Sequence, residues 1–404
     1  MATRTTAAHV WAPLGDRRFR IGSAAFIGAQ VVVWAETVGA VEVITSHSAS
    51  AAAVAAIQTA ITLPGMVLGL LAGAVADAFD RRRLLIFSAV GMTAAMALLA
   101  VLEASGHAGT ATVLLLTAAL GTGLAIQIPA FMTAVPEIVP RPLLTAANTF
   151  VSAGTNVARA VGPALAGLAL LILGSAGLFG LLAIGLALVA LGMATAGLRS
   201  VRPAEPERLV AAIMTGVRHV RGSPPLRAVM ARSALFLLFG SALWAILPLI
   251  AVHRLGLEAS GFGILLACVG TGAVLAALTL GTLHERAGLE RVVSAAGLLL
   301  GAVLALLTLV TEPVITGVLL LLAGAAWIAV VPALNTLVAL LAPPWVRGRA
   351  LSVWFLGYNG GLAIGSLLWG LLAETSLAAA LLVPAAGLAA GAFAGRVWPL
   401  THDL

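Results

Sequence analysis

Long, uninterrupted apolar runs constrain the fold of this chain more than any other feature of its sequence. Twelve such runs follow one another along 404 residues, and charged residues are almost confined to the segments between them. A run of about 20 apolar residues is long enough to cross the hydrocarbon core of a bilayer as an α-helix. The apolar residues are continuous rather than alternating, which argues against a transmembrane β-barrel.

The sequence therefore predicts an all-α membrane protein with twelve transmembrane helices. We expect them at 21–45, 50–76, 82–103, 109–131, 144–173, 176–198, 227–251, 257–282, 290–311, 313–338, 347–373 and 376–396. They form an N-terminal six-helix bundle (21–198) and a C-terminal six-helix bundle (227–396). A polar cytoplasmic linker (199–226) joins the bundles, and short tails (1–20 and 397–404) flank them.

Composition excludes several functional classes. Only 9% of the residues are charged, whereas a soluble protein carries about 25%. No lysine is present, which excludes a Walker-type phosphate loop and a pyridoxal Schiff base because both need one. A single cysteine and seven histidines without a catalytic or metal-binding spacing favour neither an enzyme nor a metal site. We expect no cofactor and no enzymatic activity.

The distribution of arginine predicts the orientation in the membrane. Nineteen of the 22 arginines fall on one side of the predicted topology, and only Arg254 falls on the other. Basic loops face the cytoplasm, so both termini are expected on the cytoplasmic side of the cell (inner) membrane. The arginines responsible for the net charge of +7 then lie at the cytoplasmic membrane surface, where they contact anionic membrane lipids. We expect no nucleic-acid partner.

The two predicted bundles repeat one another in sequence. A shift of 203 residues superimposes, without a gap, prolines, glycines and asparagines of the two halves: Pro129 on Pro332, Pro140 on Pro343, Gly154 on Gly357, Asn156 on Asn359, Gly162 on Gly365 and Gly167 on Gly370. Parallel six-helix repeats are typical of transporters whose halves rock about a site near the bilayer midplane.

The turn between the second and third apolar runs contains a short pattern of glycine, acidic and basic residues: Gly73, Asp77, Arg81 and Arg82. With these positions the turn resembles the loop between helices 2 and 3 of the major facilitator superfamily, while Ala78 and Asp80 depart from that pattern. The resemblance implies a gating loop, in which Asp77 meets the start of helix 11 near Arg347 and Arg349 when the cytoplasmic side is closed. The alternative is a loop that only fixes the topology.

The fifth predicted helix carries a second resemblance. Gly154, Gly162, Pro163 and Gly167 resemble the antiporter motif on helix 5 of drug:proton antiporters, with Ala166 where a second glycine is usual. In that family the motif accompanies export. The stretches 129–141 and 347–352 are similar to the enterobactin-exporter-like branch. The alternative for the glycines is a simple packing site, since small residues let helices approach closely.

Two charged residues fall well inside predicted helices. Glu36 lies past the middle of the first helix, and Arg159 lies near the middle of the fifth. A carboxyl group at that depth must face protein or water, and it can serve proton coupling if it gains and loses a proton there. We expect Glu36 to couple protons and to share a cavity with Arg159. The alternative is a buried polar anchor.

Polar and aromatic residues within the helices predict a substrate cavity. A cavity with mostly apolar walls suits a bulky amphipathic solute better than a sugar, which needs many hydrogen-bond partners. Each of these residues, taken singly, is also compatible with helix packing. The candidates are Trp34, Gln127, Asn156, Arg159, Tyr358 and Asn359.

These features together predict a secondary transporter. The expected activity is export of a hydrophobic or amphipathic small molecule, such as a drug, natural product or siderophore, by proton antiport and alternating access. An importer or uniporter of a small metabolite on the same fold is the alternative. We expect the transporter to act as a monomer with the small molecule and protons as its partners.

Overall fold

The computed structural model is almost wholly helical, and it describes residues 11–47, 50–78, 80–198, 209–343 and 345–400. Within its helices, the side chains of 69–78, 209–213, 281, 282 and 285 lie outside the description. Strands are absent from the described ranges. The long apolar runs of the sequence become helices because a chain in lipid must satisfy its backbone hydrogen bonds within each segment.

The N-terminal half contains six membrane-crossing helices. They are α1 (Arg17–His47), α2 (Ala51–Ala78), α3 (Arg81–Ala104), α4 (Thr110–Ile138) and a continuous segment Leu144–Thr195 that divides into α5 (144–173) and α6 (175–195). The division falls at Gly174, whose φ of 68° and ψ of −179° are non-helical. A positive φ is open to glycine at little cost, so this residue permits the reversal between α5 and α6.

A short amphipathic helix leads into the C-terminal half. This helix is α7 (Leu209–Gly222), and it lies within the predicted linker. The remaining helices are α8 (Pro224–Leu249), which continues as a π-helical turn (Ile250–Arg254), α9 (Ala259–Ala277), α10 (Leu280–Ala287), α11 (Leu289–Leu306), α12 (Pro313–Leu341), α13 (Arg347–Thr375) and α14 (Leu377–Phe393). The predicted eighth helix, 257–282, ends earlier, since α9 stops at Ala277 and the short α10 follows.

The helices account for twelve membrane crossings. Eleven segments of the described chain are long and apolar enough to span a bilayer, and one of them, Arg141–Thr195, has 55 residues. Because one crossing needs about 20 residues, this segment crosses twice, with its break at Gly174. The predicted all-α fold of twelve transmembrane helices is confirmed.

The two membrane faces of the molecule differ in charge. We call the face at which α1, α3 and α5 begin the arginine-rich face, because the arginines of the connections and termini gather there. The opposite face is the one at which these helices end. The chain starts α3 at the arginine-rich face with Asp80, whose carboxylate accepts a hydrogen bond from Arg83 N at 3.1 Å. Asp80 is thus the N-cap of α3, at a position where the loop of the major facilitator superfamily has a glycine.

The two halves meet along two pairs of helices, α2 with α13 and α5 with α9. Thr59 Oγ1 donates a hydrogen bond to Ala363 O at 3.0 Å across the first pair. In the second pair, a Cβ added to Gly263 would lie 2.6 Å from Pro163 O. Such spacing is possible only because glycine has no side chain, so backbones of the two halves touch here.

Candidate functional site

A central cavity of about 380 Å³ lies between the two halves. Its wall is mostly apolar and aromatic, with a few polar groups, which is the usual make-up of a small-molecule site. Helices α1, α2, α4 and α5 supply one side, and α8, α12 and α13 supply the other. The cavity is therefore lined by both of the halves that the sequence repeat predicts.

The cavity extends toward the arginine-rich face. Its lining includes Met132 and Thr133 near the end of α4, and Gly348 and Ser352 in the first turns of α13. Both helix ends lie at the arginine-rich face. The structure is therefore open toward that face.

At the opposite face the halves close over the cavity. The Glu374 carboxylate, at the end of α13, accepts hydrogen bonds from Ser50 Oγ and from Ala52 N, the latter at 2.9 Å. A Cβ on Gly167 of α5 would lie 2.9 Å from Ser260 O at the start of α9. Contacts between halves at one face and a cavity open to the other define one end state of an alternating-access cycle.

Arg159 is the only charged residue that lines the cavity, as far as the described residues show. Its guanidinium carbon lies 5.0 Å from the ring centroid of Trp34 and 5.7 Å from that of Trp244. These contacts are cation–π distances, so the two rings hold the guanidinium in place from either half of the molecule. The ring centroid of Trp327 lies 5.1 Å from that of Trp244. We call Trp34, Trp244 and Trp327 the tryptophan row.

Four of the six predicted cavity residues lie in the wall: Trp34, Arg159, Tyr358 and Asn359. Gln127 and Asn156 do not, and the prediction that they line the cavity is wrong for this conformation. Gln127 is fully buried inside the N-terminal half. Asn156 Nδ2 donates to Ser152 O at 2.9 Å on its own helix, and the residue is not part of the cavity wall.

Asn156 and Asn359 nevertheless share one local structure. Asn359 Nδ2 donates to Phe355 O at 2.9 Å, four residues earlier, as Asn156 does to Ser152. The two asparagines are superimposed by the sequence repeat, so the repeat preserves this hydrogen bond while only one copy reaches the cavity.

Glu36 lies behind the cavity wall rather than in it. Its side chain is fully buried, and it accepts a hydrogen bond from Thr117 Oγ1 of α4. Its second oxygen, Oε2, has no partner among the described residues. The expectation that Glu36 and Arg159 line one cavity is therefore wrong in this conformation, because α1 turns Glu36 toward α4 while Thr37 faces the cavity.

The predicted gating loop is described only in part. The side chains of Gly73 and Asp77 lie outside the described residues. Arg81 forms an ion pair with Glu137 of α4, and Arg82 Nη2 donates to Ala194 O at 2.7 Å. Both arginines thus connect α3 to neighbouring helices of the N-terminal half in this conformation.

The beginning of α13 packs on the linker helix α7. Arg349 lies there, and a Cβ added to Gly216 of α7 would lie 3.0 Å from Arg349 Cβ. Arg347, two residues earlier, is exposed. The linker helix therefore supports the helix end that carries the two predicted gating arginines.

The glycines and proline of α5 lie at two close helix crossings. Gly154 and Gly162 face α1, and a Cβ on Gly162 would lie 2.7 Å from Val31 O. Gly167 and the Pro163 carbonyl face α9 of the other half. The motif thus packs α5 against both its own half and the partner half.

Sequence reasoning missed several residues of the wall. Trp244, Trp327, Gln30 and Gln58 all line the cavity. Gln58 and the two tryptophans were visible as polar or aromatic residues within helices. The sequence offered no means of telling which face of each helix they occupy.

A two-lobed helical bundle with a central cavity open to one face defines this chain as a membrane transporter of the alternating-access class. Residues 8–402 match the family described as transmembrane secretion effector, within the major facilitator superfamily, and the chain belongs to that family. It is a multi-pass membrane protein that transports small molecules and is not an enzyme.

Two relatives that the chain resembles in sequence are named as exporters. The chain is 27% identical over 317 residues to the enterobactin exporter EntS of Salmonella choleraesuis (strain SC-B67), which covers 77% of this chain and 75% of EntS. It is 27% identical over 351 residues to the multidrug efflux pump Tap of Mycolicibacterium fortuitum, covering 82% and 83%.

Solved structures share the fold at low sequence identity. A POT family transporter in complex with a thioalcohol-conjugated peptide superimposes with a TM-score of 0.76 at 15% identity, covering 93% of this chain and 95% of that chain. At this identity the likeness supports the fold alone.

Proposed function

We propose that this protein is a secondary active exporter that moves a hydrophobic or amphipathic small molecule out of the cell by proton antiport. The observation that carries the proposal is the largely apolar cavity between the halves, open to the arginine-rich face. Placing that face in the cytoplasm follows the positive-inside rule, so the cavity would load from the cell interior. The named relatives, an enterobactin exporter and a multidrug efflux pump, support the same direction.

Glu36 is the proposed proton-coupling residue. A buried carboxylate in the membrane is costly when charged and unpaired, and within the described residues its only hydrogen-bond donor is the neutral Thr117. Neutralisation by a proton removes that cost. Its neighbours Trp34 and Thr37 line the cavity, so movement of α1 couples the protonation of Glu36 to the shape of the site.

Transport into inverted membrane vesicles tests the proposal. Three probes with one aromatic body and different end groups serve as solutes: pyrenebutyrate, pyrenebutanol and pyrenebutylamine. We expect at least one to accumulate in energised vesicles that contain the protein beyond its level in vesicles that lack it, and this excess to disappear when a protonophore collapses the gradient. Accumulation of none of them, or accumulation that ignores the protonophore, would overturn proton-driven export.

Glu36→Gln provides the residue-level test. The amide keeps the shape of the side chain and its hydrogen bond with Thr117 but has no group that titrates at physiological pH. We expect loss of gradient-driven accumulation with retention of solute exchange across vesicles without a gradient. Glu103→Gln is the matched control, since Glu103 lies at the end of α3 with Ser175 as its partner. Wild-type accumulation by Glu36→Gln would remove Glu36 from the coupling mechanism.

A further inference from the structure

The cavity carries a positive charge that the described protein does not neutralise. Arg159 forms no ion pair and donates no hydrogen bond within the described residues, and its Nε is buried without a partner. An arginine keeps its proton at any physiological pH, so it needs an acceptor or water inside the membrane. Among the described residues, its guanidinium lies against the rings of Trp34 and Trp244.

Two more hydrogen-bond donors in the same wall lack acceptors. Trp244 Nε1 and Gln30 Nε2 are buried and have no partner within the described ranges. Buried polar groups in proteins are nearly always paired, so these donors need acceptor oxygens, which water or a bound solute can supply. All three residues line the cavity, and acidic residues are absent from its described wall.

The charge belongs to one half only. The repeat shift of 203 residues superimposes Arg159 on Leu362, and Leu362 also lines the cavity. A packing role common to both halves therefore does not require an arginine at this position. The asymmetry marks one end of the cavity as the place where a negative group would bind.

The aromatic row beside the arginine fits a flat apolar body. The ring centroids of Trp34 and Trp244 lie 5.4 Å apart, and Phe355 and Tyr358 line the cavity on α13. Aromatic groups stack on such rings in offset or edge-on arrangements. Because the two tryptophans fix the guanidinium, its donor fork is oriented in advance, as bidentate binding of a carboxylate needs.

We propose that the cavity selects an amphipathic anion, with a planar aromatic body against the tryptophan row and a carboxylate on Arg159. This inference rests on the proposed function for its transport role, but the binding site stands on the geometry of the cavity. The acceptor oxygens of the carboxylate pair with Arg159, and the Trp244 and Gln30 donors lie in the same wall to receive further acceptors.

Binding to the purified, full-length protein in lipid nanodiscs tests the site without transport. Quenching of tryptophan fluorescence by the pyrene group reports the Kd of pyrenebutyrate, pyrenebutanol and pyrenebutylamine. We expect the carboxylate to bind roughly tenfold or more tightly than the alcohol, the range of a charge-assisted hydrogen bond, and the amine to bind most weakly. Equal affinities, or tightest binding of the amine, would overturn the proposal.

Variants assign the selectivity to its residues. Arg159→Gln should bring the carboxylate-to-alcohol ratio close to one while leaving the affinity for the alcohol nearly unchanged. Arg159→Lys should retain part of the ratio, since it keeps the charge and loses the fork. Trp244→Phe keeps an aromatic ring but removes the N–H and part of the ring surface, and it should weaken binding of the carboxylate more than binding of the alcohol. Arg141→Gln, which removes an exposed charge that does not line the cavity, is the control.

The two proposals fail separately. If binding is carboxylate-selective and depends on Arg159 but no gradient-driven transport occurs, proton-driven export is contradicted and the anion site is supported. If all three probes are transported at equal rates and bind with equal affinities in nanodiscs, the exporter is supported and the anion site is contradicted. Selectivity that survives in Arg159→Gln would also contradict the anion site.

Discussion

Two arginines within the helices show how differently a charge can be accommodated in this fold. Arg232 of α8 is 4% exposed and forms an ion pair with Glu290, and its Nη2 donates to Ser294 Oγ at 3.0 Å. Glu290 Oε2 in turn accepts a hydrogen bond from Leu400 N at 2.8 Å. Arg232 is therefore explained by the stability of the C-terminal half, whereas Arg159 has no ion-pair partner among the described residues and lies against the rings of Trp34 and Trp244. This difference is the basis of the proposed anion site.

The Arg232 cluster makes a prediction about stability. Arg232→Gln leaves the Glu290 carboxylate without its cation, and we expect a loss of about 1–3 kcal/mol, less than for a fully buried pair because Glu290 is partly exposed. Thermal unfolding of the purified protein measures it as a lower apparent melting temperature.

The double variant Arg232→Gln with Glu290→Gln separates charge from packing. It removes both charges, so it should unfold at a higher temperature than Arg232→Gln alone. A double variant that is as unstable as the sum of the two single variants would show that the pair contributes through packing and not through charge.

At the scale of helices, the sequence predicted which segments cross the membrane but not how each helix is rotated. Length and hydropathy define a crossing, so α1 to α6 lie close to the predicted ranges. Rotation depends on which neighbour packs against each face, and the sequence carries little information about it in helices that are apolar all round. Gln58 thus faces the cavity while Gln127 is buried, although both are glutamines within crossings.

The same limit explains the misplacement of Glu36. On a helix, one residue corresponds to a turn of about 100°, so Thr37 faces the cavity while Glu36 faces α4. Arg159 lies in the cavity wall, and of the two rings beside it Trp244 comes from the other half. Contacts between residues so distant in sequence follow only from the assembled fold.

The crossing of α5 and α9 makes a prediction at this scale. Gly263→Ala places a methyl carbon 2.6 Å from Pro163 O, where backbone must move to make room. We expect a cost of about 1–3 kcal/mol, as for other insertions into packed cores, seen as a lower apparent melting temperature. Gly180→Ala on α6 is the control, because nothing lies within 4 Å of its added Cβ. Equal melting temperatures for the two variants would contradict the close crossing.

At the scale of the whole molecule, the conformation open to the arginine-rich face implies a second conformation that is open to the opposite face. The halves touch at the opposite face and part at the arginine-rich face, so the contacts at the opposite face must break for a solute to leave there. The halves are joined in sequence only through the linker that contains α7. The six-helix bundles can therefore move as units while the cavity residues stay with their own half.

Locking the closed opposite face should stop transport. Ser50, ahead of α2, and Glu374, at the end of α13, are in hydrogen-bond contact across the halves. With Cys268 replaced by serine, the pair Ser50→Cys and Glu374→Cys can be joined by a short thiol-specific cross-linker. Because the opposite face must open in every cycle, we expect cross-linked protein to lose solute accumulation in vesicles and to regain it when a reducible linker is cleaved. Either cysteine alone, treated in the same way, should transport normally. Full transport by the cross-linked protein would mean that the solute leaves by a route that does not separate α2 from α13, and the rocking of two rigid halves would have to be abandoned.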